Sequence, residues 1–269
     1  MTAIHLATAD TETGVLLRED AGGIATLTLN RPDQYNALSA ELLAALQAAV
    51  RDLADDKSIR VVVIAGAGKA FCAGHDLKEI HEHADPGFAK GVFDRCRQLM
   101  TALTRLPQPV IARVHGPAYA AGCQLVAQCD LAVAATEARF ATSGVNYGVF
   151  CSTPGVPLSR NIPRKLAMEM LLTGDPIDAA TAAARGLVNR VVPAKELDAE
   201  VQRLAQSIIA KSPTVIAAGK NVFYEQVEKG MKQAYRDATA AMVDNVKTED
   251  GKEGIAAFAE KRKPRWKGK

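Results

Sequence analysis

Two short turns of small residues carry the chemistry that this sequence suggests. They are residues 71–78 (FCAGHDLK) and 116–125 (GPAYAAGCQL), and each lies between an apolar strand-like run and a helix-like segment. Small residues let backbone N–H groups approach a ligand closely, and a helix start offers unpaired donors at its positive dipole end. If the two turns face each other, they could hold one developing oxyanion between two N–H groups.

Several side chains beside these turns have two readings. His75 could act as an acid or base through its imidazole, or could contribute only its backbone N–H while the ring packs outward. Asp76 could be a base, or it could cap the following helix. Gln124 is neutral where acid–base chemistry favours a carboxylate, and it could form a hydrogen bond on the pocket floor or be a purely structural amide. Cys151 has no neighbouring His or Lys in sequence to lower its pKa, which favours an inert thiol over a nucleophile.

Composition sets the class of protein and excludes others. The 269 residues can bury a sizeable core, and 48% hydrophobic with 23% charged residues is ordinary for a globular protein. The net charge of +3 and the lack of a basic face with interleaved aromatics argue against nucleic acid as a partner. Basic residues crowd residues 261–267, and such a run is more often a solvated end than a site.

Cysteine usage and the N-terminal residues bear on location. The five cysteines are odd in number and lack CxxC spacing, so we expect no disulfide framework, no zinc site and a reducing compartment. His81 and His83 have HxH spacing but no evident third ligand, so no metal is expected. Residues 1–14 resemble neither a signal nor a transit peptide, and no apolar stretch is long enough to span a membrane. We therefore expect a cytoplasmic protein that binds no membrane.

The patterns predict an α/β protein whose buried strands lead into the two turns. Strands are predicted over residues 15–18, 24–30, 60–65, 110–114, 130–135, 139–142 and 188–192. Helices are predicted over residues 40–54, 87–106, 164–173, 179–185 and 197–210, with another after the second turn up to Gln128. Residues 143–157 are rich in Gly, Pro and Ser and are predicted to form a loop.

The C-terminal part contains helical signals only. Residues 213–260 are predicted to form three helices, joined near Lys229-Gly230 and near Asp250-Gly251. We therefore expect an α/β core over residues 1–200 and a helical region over residues 201–269.

Eight motifs in order along the chain resemble the crotonase superfamily, also called the enoyl-CoA hydratase/isomerase family. The motifs are NRP (30–32), NAL (36–38), FCAGHDLKE (71–79), AAGCQL (120–125), CD (129–130), TPG (153–155), LTG (172–174) and ARGLV (184–188). Residues 74–79, 120–125, 150–155 and 241–245 are most similar to the subgroup of the enoyl-CoA hydratase domain-containing protein 3 type. Each motif alone is weak, but their order and spacing together are specific.

The resemblance implies a spiral of ββα turns whose C-terminal helices pack trimers, often paired into hexamers. It implies an acyl-CoA thioester as ligand, with coenzyme A entering as part of the substrate and no separate cofactor. In that mapping, the N–H groups of His75 and Ala121 form the oxyanion hole, and Phe258 and Lys261 cover the adenine end of CoA, from the same or a neighbouring subunit. The residues expected to line the CoA path are Gln34, Ala37, Ala73, His75, Asp76, Leu77 and Lys78.

The sequence departs from the hydratases of that family at both catalytic carboxylates. Those hydratases add water to an enoyl thioester with two glutamates, and Gln124 and Gly144 stand at these positions. A glutamine cannot accept a proton near neutral pH, and general acid–base catalysis contributes about 10²–10⁴-fold in rate. The catalytic positions to examine are therefore His75, Ala121, Gln124 and Gly144.

The resemblance implies a nominal enoyl-CoA hydratase/isomerase of fatty-acid metabolism that polarises a thioester. Because both carboxylates are replaced, efficient hydration by the usual route is not expected. The alternatives are isomerisation, decarboxylation or thioester hydrolysis of an acyl-CoA, or binding of acyl-CoA without turnover.

Overall fold

Two β-sheets surrounded by helices form the structure, a computed structural model that describes residues 14–83 and 85–269. The main sheet has the strand order β1-β2-β3-β4-β6-β9, with β1 antiparallel to β2 and the other neighbours parallel. A small sheet has the order β5-β7-β8. The strands are β1 Leu16–Ala21, β2 Ile24–Leu29, β3 Val61–Gly66, β4 Val110–Val114, β5 Ala118–Tyr119, β6 Leu131–Ala135, β7 Arg139–Ala141, β8 Ile177–Asp178 and β9 Arg190–Val192.

Eleven α-helices connect and cover the strands in the part of the chain that is described. They are α1 Ala40–Asp55, α2 Leu77–Glu82, α3 Pro86–Arg105, α4 Ala121–Gln128, α5 Ser152–Asn161, α6 Arg164–Thr173, α7 Ala179–Ala184, α8 Leu197–Ile209, α9 Pro213–Gln226, α10 Met231–Lys247 and α11 Glu249–Ala259. Short 3₁₀ helices occupy Pro32–Gln34, Ser143–Tyr147 and Ala194–Glu196. The expected α/β class is confirmed.

Strand β3 shows why the main sheet is buried on both faces. Its alternating side chains enter two apolar clusters, with Val62 and Ile64 in one and Val61 and Val63 in the other. Helices α1 and α3 cover the first face, and α8 covers the second. A β-branched run without polar alternation is typical of such a parallel strand. The sheet is therefore a rigid base whose strand ends hold the two turns.

The Gly- and Pro-rich stretch of residues 143–157 is more ordered than expected, so the predicted loop is wrong. It forms the 3₁₀ helix Ser143–Tyr147 and the first six residues of α5. Pro154 lies in the first turn of α5, where a backbone N–H has no intrahelical acceptor to lose. Pro157 lies inside the helix, which packs against α4 and tolerates the missing hydrogen bond. Tertiary packing thus overrides the local composition.

The joint predicted near Asp250-Gly251 lies two residues earlier, at Thr248. Thr248 lies between α10 and α11. Its Oγ1 accepts the Gly251 N–H at 2.9 Å and caps α11. Gly251 lies within the first turn of that helix, and a Cβ there would lie 2.0 Å from the Asn245 carbonyl oxygen. The glycine serves close packing against α10 and does not end a helix.

A buried ion pair attaches the C-terminal helices to the core. Lys220 of α9 contacts Asp130 at 2.7 Å and donates to the carbonyls of Leu103 and Gln108, both at 2.9 Å. The Tyr224 hydroxyl donates to the same carboxylate at 2.8 Å. Asp130 is therefore a structural hydrogen-bonding group, which holds α9 against the start of β4 and β6.

Helix α10 has no buried residue among its seventeen, which is also true of the shorter helices α2 and α9. Helix α10 packs against α9 and α11, and the rest of its surface is open. Five large apolar side chains are exposed there: Met231, Tyr235, Met242, Val243 and Val246. A helix of this kind presents an apolar surface that nothing in the described chain covers.

Two further expectations concern the chain as a whole. The division expected between residues 200 and 201 falls within α8, and it stays a prediction. In residues 14–83 and 85–269, no helix combines the length and apolar composition needed to cross a membrane.

Candidate functional site

The two turns lie in direct contact. Cys72 pairs with Ala118 through a Tyr119 N–H bond to the Cys72 carbonyl at 2.8 Å. A Cβ on Gly74 would lie 2.8 Å from the Ala120 Cβ and 3.2 Å from the Ala121 nitrogen. Gly74 also has φ +104°, a region that favours glycine. Glycine at this position therefore lets the two backbones meet.

The backbone N–H of His75 points away from Leu38, the residue with which His75 forms a parallel β-bridge. The Leu38 N–H donates to the Gly74 carbonyl at 2.7 Å, and the Asp76 N–H donates to the Leu38 carbonyl at 3.2 Å. In such a parallel bridge, the hydrogen bonds come from the residues flanking His75, so the His75 N–H faces the opposite direction. It donates to no other group in the described residues.

Ala121 is the first residue of α4, so its N–H has no acceptor within the helix. Ala120 precedes it with φ +47° and ψ −116°, an unusual conformation for an alanine, and its N–H donates to the Ala141 carbonyl at 2.8 Å. Backbone strain of this kind occurs where the surrounding structure requires a particular geometry. The strained residue directs the next N–H, that of Ala121, away from the sheet, and this group is also unpartnered in the described chain.

Gly122 fixes the distance between α4 and the first turn. A Cβ on this residue would lie 2.1 Å from the Cys72 carbonyl oxygen, a separation that real Cβ atoms do not show. Any larger residue would therefore push the start of α4 away from Gly74 and His75.

Gln124 lies one helical turn beyond Ala121, on the same side of α4. It is 4% exposed, and its Oε1 has no hydrogen-bond partner in the described structure. The Thr142 hydroxyl, at the end of β7, is also buried and unpartnered there. Unpaired buried polar atoms are costly, and each calls for a ligand or water partner.

Gly144 has no space for a side chain. Its N–H donates to Cys151 Sγ at 3.3 Å, and its carbonyl accepts the Val149 N–H at 3.0 Å. A Cβ would lie 2.4 Å from the Val149 carbonyl oxygen and 2.8 Å from Cys151 Sγ. The turn over residues 144–151 is thus built around a glycine, and the backbone itself would have to move to admit a carboxylate.

The thiol of Cys151 is part of this turn. Burial raises its pKa, although the Gly144 N–H opposes that shift. A thiol with a raised pKa is a poor nucleophile. The reading of Cys151 as an inert buried residue is therefore favoured.

Asp76 holds the first turn in place. Its carboxylate accepts the Glu79 N–H at 3.2 Å, which caps α2, and forms an ion pair with Arg31 at 2.9 Å. Burial opposes ionisation of Asp76, but the Glu79 N–H and the Arg31 guanidinium outweigh it and lower the pKa. The carboxylate is ionised and committed to these partners, which supports its reading as a structural cap.

The imidazole of His75 packs edge-on against Phe93 of α3, with ring centroids 5.0 Å apart. Neither ring nitrogen has a hydrogen-bond partner in the described part of the chain. Burial lowers the pKa of His75 to about 4, so the ring is neutral at pH 7. It is therefore unable to serve as a cationic acid at neutral pH.

The buried neutral ring of His75 should make the free energy of unfolding depend on pH. Its folded pKa lies below the unfolded value of about 6.5, so the unfolded state takes up the proton first as pH falls. We expect the free energy of unfolding to drop by about 2 kcal/mol between pH 7 and 4.5, and His75→Gln to remove this part of the drop. Urea titrations at both pH values measure it, with His81→Gln on the exposed surface of α2 as control. An equal pH dependence in wild type and His75→Gln would contradict it.

The expected CoA-path residues divide into two groups. Gln34, Ala37 and Ala73 lie together, because the Ala37 N–H donates to the Gln34 carbonyl at 3.0 Å and the Ala73 N–H donates to the Tyr35 carbonyl at 3.0 Å. Leu77 and Lys78 continue this surface as the exposed first residues of α2.

Phe258 and Lys261 lie at the far end of α11, which packs against α9 and α10. Phe258 is 86% exposed. Lys261 has φ +55°, and the N–H groups of Lys261 and Arg262 donate to the Phe258 and Ala257 carbonyls. This pair of bonds is the Schellman motif, in which glycine usually occupies the left-handed position.

Sequence reasoning missed the side chains that support the first turn. Asn36 is fully buried with φ +56°, and its amide donates to the carbonyls of Ala67 and Ala70, both at 2.8 Å. Glu79 accepts the Ala40 N–H at 2.9 Å and so joins α2 to the start of α1. An Asn after an Arg-Pro pair is a signal for a turn, but its partners more than thirty residues away leave no local signal.

A bound metal ion needs several ligand side chains close together. Among residues 14–83 and 85–269, no group of three His, Cys, Asp or Glu side chains is placed to hold a metal ion.

Comparisons with known proteins define the class. The family model for enoyl-CoA hydratase/isomerase matches residues 19–269, so the chain belongs to that family. The protein named enoyl-CoA hydratase domain-containing protein 3, mitochondrial, from Xenopus laevis is 48% identical over 244 residues, which cover 91% of this chain and 83% of the relative. The resemblance to that subgroup, predicted from the sequence, is confirmed.

Solved structures agree with this assignment. The crystal structure of an enoyl-CoA hydratase from Mycobacterium smegmatis has a TM-score of 0.92 and 53% identity, covering 94% of this chain and 98% of that one. The structure of human enoyl-CoA hydratase domain-containing protein 3 has a TM-score of 0.91 and 45% identity, covering 94% and 100%. The expected crotonase fold, with its C-terminal helices, is therefore confirmed.

Proposed function

We propose that this protein binds acyl-CoA thioesters and polarises the thioester carbonyl between the backbone N–H groups of His75 and Ala121. The observation that carries the proposal is the contact of Gly74 with Ala120 and Ala121, because it brings two unpartnered N–H groups to one place. Two such donors favour charge on a carbonyl oxygen, as an enolate or a tetrahedral intermediate requires. Family membership supports the choice of a CoA ester as ligand.

The proposed chemistry does not include hydration by two carboxylates. Gln124 offers a neutral amide, and Gly144 excludes any side chain. The activity that fits best is one in which the oxyanion hole supplies most of the rate enhancement, namely isomerisation, decarboxylation or hydrolysis of an acyl-CoA. One lost donor in such a hole typically costs about 10²–10³ in rate, so two intact donors should contribute strongly to the rate of a reaction at the thioester carbonyl.

A second candidate function is acyl-CoA binding without turnover. It is favoured by the neutral pocket, because Gln124 and the uncharged His75 ring provide no strong base near the proposed oxyanion hole.

A panel of thioesters separates the two functions. Purified protein would be incubated with crotonyl-CoA, malonyl-CoA, and longer enoyl and hydroxyacyl CoA esters, with binding followed by calorimetry and turnover by mass spectrometry. Binding with turnover of at least one ester supports the enzyme. Binding of esters without any turnover supports the second candidate, and lack of binding to every ester refutes both.

We further propose a homo-oligomer, a trimer or a pair of trimers, built through α10. The apolar side chains exposed on this helix would be covered by other copies of the chain, and the family resemblance supports that arrangement. In such an assembly, Phe258 and Lys261 would reach the adenine end of CoA bound to the same or a neighbouring subunit. Sedimentation analysis would give the mass of the assembly.

Coenzyme A is proposed to arrive as part of the substrate, with no separate cofactor. A cytoplasmic location stays a proposal drawn from the sequence. Relatives from frog, mouse and human carry the word mitochondrial in their names. Fractionation of the native cells would decide between these locations.

Lys261 provides a test of CoA recognition that separates affinity from stability. Its left-handed backbone is strained for a lysine, so Lys261→Gly should raise the free energy of unfolding by about 0.5–1 kcal/mol. The same change removes an ammonium group and should weaken butyryl-CoA binding by about threefold to tenfold, less at high salt. Denaturant titration and calorimetry measure the two effects.

The variant Lys261→Asn is the matched control for this experiment, because Asn tolerates the left-handed region and also lacks the charge. Unchanged affinity in both variants would show that Lys261 does not contact the CoA ester.

A further inference from the structure

The chain after α11 turns back and runs along that helix. The reversal is at Lys261, and the following residues bind three acids of α11, namely Glu249, Asp250 and Glu253. Glu253 pairs with Arg262 through two bonds, at 2.6 and 2.9 Å, and also accepts the Arg265 N–H at 2.8 Å. We call residues 262–269 the strap. As the sequence suggested, these residues are exposed, apart from the half-buried Trp266, but the strap is also attached to the helix at several points.

Asp250 holds the far end of the strap and is 1% exposed. Its carboxylate accepts the Lys267 N–H at 2.6 Å, the Gly268 N–H at 3.0 Å and the Ser212 hydroxyl at 2.6 Å. Burial opposes ionisation, but these donors outweigh it and lower the pKa of Asp250. A buried carboxylate with three donors specifies one position for the backbone that supplies them.

Trp266 attaches the strap to a third element. Its indole N–H donates to the Ala210 carbonyl at 2.9 Å, just after α8. Its ring lies against Gly254 of α11, where a Cβ would be 3.3 Å from the indole. The strap therefore joins α11 to the end of α8, and Ser212 joins the start of α9 to the same cluster.

The reversal point carries the two side chains proposed to recognise CoA. Phe258 and Lys261 project from the last turn of α11 and from the left-handed residue after it. Arg262 is both the second residue of the Schellman motif and the first anchor of the strap. The orientation of Lys261 thus depends on where the strap is held.

We propose that the strap, locked by Asp250, positions Phe258 and Lys261 for the adenosine end of a CoA ester, which makes Asp250 a positioning residue for that ligand. This inference rests on the proposed function. It makes the recognition of the nucleotide part of CoA depend on contacts with the buried Asp250 carboxylate, a group that does not itself touch the ligand.

Trp266 makes the strap directly observable, because it is the protein's single tryptophan. We expect Asp250→Asn to release the strap, which would shift the tryptophan emission to the red and increase its quenching by acrylamide. The same variant should bind butyryl-CoA about tenfold more weakly, equivalent to about 1.4 kcal/mol, and bind butyryl-pantetheine as the wild type does. Pantetheine lacks the adenosine end, so a general structural defect would weaken both thioesters.

Two other variants complete the experiment. Glu253→Gln loosens the strap at a partly exposed position and should show a smaller change of the same kind, even if Asp250→Asn does not fold. Asp52→Asn is the matched control, since it exchanges an exposed acid of α1 that has no hydrogen bond or ion pair in the described structure.

The following results would refute the positioning role of Asp250 or the proposed function. Strap release without loss of butyryl-CoA affinity, equal weakening of both thioesters, or unchanged tryptophan emission in both strap variants refutes the positioning role. If the wild type binds no CoA ester at all, both the proposed function and this inference are refuted.

Discussion

Replacing Gly122 with alanine is expected to reduce any oxyanion-assisted turnover by at least about 10²-fold. The added Cβ would lie 2.1 Å from the Cys72 carbonyl oxygen, so α4 must move away from the first turn. This movement separates the N–H groups of His75 and Ala121, which an oxyanion hole needs at a fixed spacing. Steady-state rates with the thioester that the panel identifies would measure the effect.

Gly91→Ala is the matched control, because it is also a glycine inside a helix, and nothing lies within 4 Å of its added Cβ. That variant should keep its activity and gain stability, since alanine favours a helix over glycine by roughly 0.5–1 kcal/mol. Circular dichroism would confirm that Gly122→Ala keeps its secondary structure. A folded Gly122→Ala protein with wild-type turnover would refute the proposed oxyanion hole.

Restoring a carboxylate should succeed at only one of the two altered positions. Gln124→Glu is nearly isosteric and places a carboxylate on the same side of α4 as Ala121, so we expect crotonyl-CoA hydration to rise by about 10²-fold. Since the site is buried, the pKa of the new group should be raised, and the rate should increase with pH. Hydration is followed by the loss of enoyl absorbance.

Gly144→Glu should give no such gain. Its Cβ would lie 2.4 Å from the Val149 carbonyl, and the forced movement of this turn should cost about 1–3 kcal/mol of stability. Adding it to Gln124→Glu should therefore lower activity, and Gln202→Glu on the exposed surface of α8 serves as control. A large rate gain from Gly144→Glu would show that the turn is more adaptable than its packing indicates.

The main sheet and the two turns were predictable because their signals are local. The run Val61–Ile64 indicated a strand buried on both faces, and the small residues around Gly74 and Gly122 indicated turns next to helix starts. The structure places these turns in contact. Their direct approach follows from the pairing of Cys72 with Ala118, which joins residues 46 positions apart. No local sequence pattern includes both Cys72 and Ala118, so their contact could not be predicted.

Other features could not be predicted, since they depend on packing between distant segments. The helix containing Pro154 and Pro157 forms because it packs against α4. The glycine at position 144 suggested a lost glutamate, and only the structure shows that Val149 and Cys151 fill the space beside it. The basic run after Lys261 is exposed as expected, but its attachment to α11 could not be predicted, because its acceptors on Asp250 and Glu253 lie earlier in the chain.

The ion pair between Lys220 and Asp130 has a consequence for cooperativity. If α9 left the core, Asp130 would lose two of its partners, and the carbonyls of Leu103 and Gln108 would lose the ammonium group that they bind. Helix α9 is therefore not expected to open alone, and it should share the slow amide exchange of β4 and β6. The ion pairs of α10 in the described chain are more exposed, so α10 should exchange sooner in an isolated subunit, and subunit association would protect chiefly this helix.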